Sequence, residues 1–318
     1  MLFTAMLIVV FGSLLLANVS SSRVLAQNAT PTPNLFTDVT GQIIFRQNDA
    51  LSSINLDGTP AQALSLDAGF TPMCPVWSHD GKQLAAIGGS TEFGLYVFDA
   101  TGGTANAVLQ NDPNNPTSDP PTGLPAWSPD NKTMAYTGQS GALYLVNVAN
   151  GKLQSTLNTL TFLSVDWSPD ATQLVAFGET SDGVTGIFTL NVDGSNLQTL
   201  VPLSEADLSF ALTSDHFFSH DTALPHWSPD GKQIAYSAVS SDISSIYIIP
   251  ATGGSPQEIT DPAISADAPA WSPDGRYLAY TAEVGGERTV NVIDLNQPRV
   301  GALTDLRIGG CPIWKPTP

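Results

Sequence analysis

Three of the chain's four histidines, with two carboxylates, crowd into one short stretch, and they are the side chains best placed to do chemistry. Residues 214–221 read S-D-H-F-F-S-H-D, so His216 and His220 stand four apart, flanked by Asp215 and Asp221, with His226 six residues further on. Imidazoles at i and i+4 share one face of a helix, and with one more ligand that face would hold a transition metal. The plainer reading, which we prefer, has Phe217 and Phe218 pinning the segment while the histidines make ordinary polar contacts. No metal or other cofactor is expected. Asp166 and His226 each stand directly before a tryptophan, where the other copies of the same repeat carry Val76, Ala126, Ala270 and Ile313. A carboxylate beside an imidazole can act as an acid–base couple, but a hydrogen bond filling a polar gap is the preferred reading. Serine-hydrolase chemistry has no support, because Gly138-Gln-Ser-Gly141 lacks the spacing of a G-x-S-x-G nucleophile elbow.

The elements that must position these residues are short strands and turns. Charged residues are only 13% of the 318, about half the usual share, while Gly and Pro number 27 and 24. Acidic side chains outnumber basic ones 29 to 11, for a formal charge of −18, which excludes a phosphate backbone as a natural partner. At the N-terminus an apolar run from Leu2 to Ala17 precedes Val24-Leu-Ala26, small residues at the positions that signal peptidase reads. Residues 1–26 are therefore expected to be a secretory signal, residues 27–40 a polar linker, and 41–318 the folded domain. A membrane is a partner only if the first segment stays uncleaved as an anchor.

The six tryptophans mark an internal repeat. Trp77, Trp127, Trp167, Trp227 and Trp271 each open a copy of W-S-P-D-G or a near variant, and Trp314 opens W-K-P-T-P. Their spacings of 50, 40, 60, 44 and 43 residues suit a four-stranded propeller blade. Ser-Pro-Asp-Gly is a type I turn with φ fixed at Pro and left-handed freedom at Gly. Asn131 tolerates that last position, whereas Ala171 there costs on the order of 1 kcal/mol. Short apolar strands follow each turn, among them Leu84 to Ala86 and Leu95 to Phe98, and they call for cover on both faces. Gln42 to Phe45, Leu51 to Leu56 and Ala61 to Leu66 form a blade lacking its Trp strand, and Cys311 to Lys315 is a Trp strand lacking its blade. Joined, they make six blades and leave no edge strand.

The unit W-S-P-D-G-K-x-[IL]-A-[YF], repeated five times in register, resembles the WD40-like repeat of the TolB-like six-bladed β-propeller family across residues 41–315. The resemblance implies an all-β propeller. It also implies an exported, non-catalytic module of the cell envelope that holds a protein partner or a small ligand.

Cys74 and Cys311 both lie three residues before a Trp, in blades that become neighbours when the ring closes, so a Cys74–Cys311 disulfide is expected. The motif turns share one face of the ring. The more variable connections share the other: 88–94, 178–186 and 239–245, with insertions at 111–123 and 201–223. That loop-rich face is the expected binding surface, with Asp215, His216, Phe217, Phe218, His220, Asp221, His226 and Asp166 as its candidate residues. The rival is a propeller hydrolase or lactonase-type enzyme using a channel or loop metal. It is disfavoured because Asp267 is the one acidic residue three or four positions before any Trp.

Overall fold

The computed structural model describes residues 41–47, 50–56, 62–66, 70–89, 94–110, 119–203, 225–240, 243–284, 286–296, 300–307 and 310–317. Residues 1–40, expected to be signal and linker, and the histidine-bearing stretch 204–224 lie outside the described residues.

Six antiparallel sheets form the blades of a β-propeller. Blade A joins β1 (Gln42–Gln47), β2 (Ala50–Asn55) and β3 (Gln62–Ala63) to the chain's last strand, β25 (Gly310–Trp314). Blade B holds β4 (Thr71–Pro72), β5 (Val76–Trp77), β6 (Gln83–Gly89), β7 (Gly94–Asp99) and β8 (Asn106–Gln110). Blade C follows with β9 (Ala126–Trp127), β10 (Thr133–Thr137), β11 (Leu143–Asn147) and β12 (Leu153–Leu157). Blade D is β13 (Thr161–Trp167), β14 (Gln173–Glu179), β15 (Thr185–Asn191) and β16 (Gln198–Pro202). Blade E is β17 (His226–Trp227), β18 (Gln233–Ser240), β19 (Ile243–Pro250) and β20 (Gln257–Glu258). Blade F is β21 (Ser265–Trp271), β22 (Tyr277–Val284), β23 (Glu287–Asp294) and β24 (Val300–Arg307). The two ends of the chain meet in blade A, where Ile43 pairs with Trp314 and Ile44 with Ile313.

The uniformly apolar strands are explained by the seams between blades. In β6, Leu84 and Ala86 pack toward blade A with Ile44 and Leu51, while Ala85 and Ile87 pack toward blade C with Trp127 and Met134. Alternate side chains point to opposite faces, so a strand buried on both faces must be apolar at every position. The same division recurs in β14: Leu174 and Ala176 face blade C, Val175 and Phe177 face blade E. Blades E and F share a cluster around Trp271 and Leu278, and blades F and A one around Trp314 and Ala279.

The motif turns are knit by one repeated hydrogen-bond set. Each Ser hydroxyl donates to the Asp two residues on, at 2.6–2.8 Å, and accepts the N–H five residues on, at 2.8–2.9 Å. The fifth motif residue is left-handed in every copy: Gly81, Asn131, Ala171, Gly231 and Gly275 have φ of 60–70°.

Two details depart from the sequence reading. The connections expected at 178–186 and 239–245 are largely strand, since Glu179 pairs with Thr185 and Ser240 with Ile243, so pairing runs almost to the tip. The innermost strands are also uneven. Those of blades B, C and E are two residues long at the Trp, while β21 and β25, which carry the same Pro two positions before their Trp, run seven and five residues. Val165 occupies that position in blade D, and β13 runs seven residues.

Candidate functional site

Cys74, Leu124, Ala268 and Cys311 stand three places before Trp77, Trp127, Trp271 and Trp314. Ala268, Cys311, Cys74 and Leu124, from the consecutive blades F, A, B and C, form one buried cluster. Cys74 and Cys311 are disulfide-bonded, with Cα atoms 5.4 Å apart. Together these side chains make an apolar floor.

Above that floor, at the motif end, the channel opens into a funnel of about 350 Å³ walled by all six tryptophans and the motif prolines. The indoles link the blades. Trp127, Trp167 and Trp271 donate from Nε1 to the carbonyls of Val76, Ala126 and His226, each the residue before the previous blade's Trp, at 3.1–3.3 Å. The indole N–H groups of Trp77, Trp227 and Trp314 are buried with no hydrogen-bond partner among the described residues.

The wall is apolar at Val76, Ala126, Ala270 and Ile313 and polar at Asp166 and His226. Asp166 Oδ2 accepts the backbone N–H of Trp227 at 3.0 Å and lies 3.5 Å from His226 Nδ1. Their side chains keep 23% and 29% of their surface, so both reach the cavity. The structure thus brings Asp166 and His226 together, and it sets them at the motif end rather than the loop-rich end. The residue before each Trp is the last but one of its strand before the motif turn, so it must sit at that end. Asp215, His216, Phe217, Phe218, His220 and Asp221 lie outside the described residues.

The rim of the funnel is acidic. The carboxyls of Asp80, Asp130, Asp170 and Asp230 are held below the usual range, chiefly by the hydroxyl donated from Ser78, Ser128, Ser168 and Ser228. Lys82, Lys132 and Lys232 stand 3.1–3.7 Å from three of these carboxylates. In blade F the equivalent residue is Arg276, paired with Asp294 at 2.7 Å. In blade D it is Thr172, a hydroxyl donor to Asp170 at 2.8 Å.

At the other end of the channel Asp267 is clamped by Arg288 at 2.8 and 2.9 Å. Among the described residues no three His, Cys, Asp or Glu side chains converge as a metal site would require. Two features escaped the sequence reading, His79 in place of a motif Pro and Thr172 in place of a motif cation. Their signal was visible as departures from the repeat.

No protein-family model matches the chain. An uncharacterized protein of Agrobacterium fabrum is 25% identical over 211 residues, which span 63% of this chain and 63% of that protein. The crystal structure of TolB from Acinetobacter baumannii superposes with a TM-score of 0.67 at 18% identity, covering 87% of this chain and 67% of TolB. A nidogen/laminin complex structure superposes with a TM-score of 0.62 at 13% identity, covering 86% of this chain and 98% of that one. At these identities the likeness establishes architecture, and the architecture is that of a TolB-like six-bladed β-propeller.

Proposed function

We propose that this chain is a non-catalytic binding propeller of the cell envelope or exterior, which holds a protein partner or small ligand. The observation that carries the reading is the funnel. It is floored, walled by Trp and Pro, and made one-sided by Asp166 and His226, which is the usual design of a ligand pocket: an apolar cavity with few oriented polar groups. Export is supported by the apolar leader in the sequence and by the disulfide, which persists in oxidising compartments. Kinship of fold with TolB and with a chain of the nidogen/laminin complex supports a protein partner by analogy only. A non-catalytic role is supported by the pairing of Asp267 with Arg288, which occupies that channel carboxylate. The loop-rich face, with segment 204–224, is the second surface we assign to binding.

Affinity capture from envelope extracts separates the two surfaces. The baits are the wild type, Val76→Phe to fill the funnel, and a 204–224 deletion, each checked for an unchanged melting profile. Loss of a specific partner with Val76→Phe supports the funnel, and loss with the deletion alone moves the site to the loop-rich face. A captured set that is the same for all three baits overturns the binding role.

A further inference from the structure

We infer that the funnel is built for an alkylammonium group, its cation on Asp166 and its methylene stem against the Trp and Pro wall. This rests on the funnel being a binding site.

The first ground is a carboxylate with capacity to spare. Both contacts of Asp166 are made by Oδ2; Oδ1 has no partner among the described residues, and the side chain is reachable from the cavity. A carboxylate oxygen accepts more than one hydrogen bond, and one given by a cation is about twice as strong as a neutral one. The second ground is where the cations are. Four motif copies place Lys82, Lys132, Lys232 or Arg276 two residues after the motif Asp. Blade D alone of the five complete copies has a neutral residue there, Thr172, and blade D also carries Asp166. Among the described residues, Asp166 is the one carboxylate lining the funnel, with His226 beside it, and the motif turn of its own blade adds no cation. Segment 204–224 contains no Lys or Arg, so the sequence supplies no cation from there. A net charge of −18 adds long-range attraction for a cation.

The third ground is the wall. Lys315 Nζ rests 5.4 Å from the centroid of the Trp77 ring, so one ammonium of the chain itself already uses a funnel tryptophan as its platform. The volume of about 350 Å³ lies within the range of small-ligand sites. Arginine is a poorer fit, because a planar guanidinium needs both oxygens of a carboxylate for its fork and Oδ2 is already engaged.

The test is a titration followed by calorimetry and tryptophan fluorescence. The probes are n-hexylamine, Nα-acetyl-lysine methylamide and, as the neutral match, hexan-1-ol. The amines are expected to bind about tenfold or more tightly than the alcohol. Shortening hexylamine to butylamine weakens binding by roughly fourfold per methylene lost. Asp166→Asn keeps an acceptor for the Trp227 N–H yet should lose about tenfold for the amines and nothing for hexanol. Thr172→Lys should also weaken the amines. A lysine derivative that matches hexylamine points to a protein's side chain, and one that fails points to a free amine. Equal affinity for amine and alcohol, indifferent to Asp166→Asn, overturns the ammonium assignment while leaving the funnel as a binding site. Silence from all three probes also overturns it, and the Val76→Phe capture then decides the fate of the funnel.

Discussion

The backbone N–H of His79 donates to Asn131 Oδ1 at 2.7 Å, and the two residues are the motif's departures in adjacent blades. Where the motif is intact, the Pro of one blade lies against the Gly of the next. A β-carbon on Gly231 would fall 3.7 Å from Pro169, and one on Gly275 would fall 3.8 Å from Pro229. Replacing Pro by His79 creates a donor, and replacing Gly by Asn131 supplies its acceptor. His79 Nε2 also lies 3.2 Å from the Trp127 carbonyl, so the imidazole reinforces the same seam.

His79→Pro and Asn131→Gly should therefore be coupled. Each single change removes the hydrogen bond, and the double change loses it only once while restoring the intact motif. Urea denaturation of the four proteins is expected to give a coupling energy of about 0.5–1.5 kcal/mol. Strict additivity would show that the contact contributes nothing.

Ala171 holds φ at 61°, the conformation that the other copies give to Gly or Asn. Relief of that strain exceeds the added flexibility of the unfolded chain, so Ala171→Gly should stabilise the protein by about 1 kcal/mol. The readout is the denaturation midpoint at unchanged slope. A lower midpoint would contradict it.

Ser168 is buried, donates to Asp170 at 2.7 Å and accepts from the Gln173 N–H at 2.9 Å. Ser168→Ala should cost about 1–3 kcal/mol by leaving that N–H unpaired. The Asp170 carboxyl is lowered in the fold, first by this hydroxyl, so its share is present above the unfolded pKa and is lost as pH falls through the folded one. The gap between wild type and variant should thus narrow below about pH 4 without closing, because the Gln173 N–H does not titrate. A gap that widened in acid would refute this assignment.

The Cys74–Cys311 bridge spans 237 residues and joins the first and last Trp strands. Removing both thiols as Cys74→Ser with Cys311→Ser should cost about 5.5 kcal/mol on the chain-entropy account. Thermal melts of the double variant, and of wild type with reductant, should both shift down. No shift in either would mean the apolar floor holds the seam unaided.

The repeat unit was legible because its causes are local. The Ser–Asp hydroxyl bond, the Pro and the left-handed fifth residue act within six positions, so six blades, their order and the partnership of Cys74 with Cys311 could be read along the chain. Asp166 and His226 were visible as oddities for the same reason, since each breaks a pattern that its own repeat defines. Their setting was not. The Trp227 N–H that Asp166 accepts, and the imidazole beside it, come from a neighbouring blade, with Trp227 61 residues away in sequence. The apolar floor is a still more distant matter, because Cys74, Leu124, Ala268 and Cys311 share one cluster only when four blades close up side by side. Local turn chemistry decides what each blade is; the closing of the ring decides which side chains face one another.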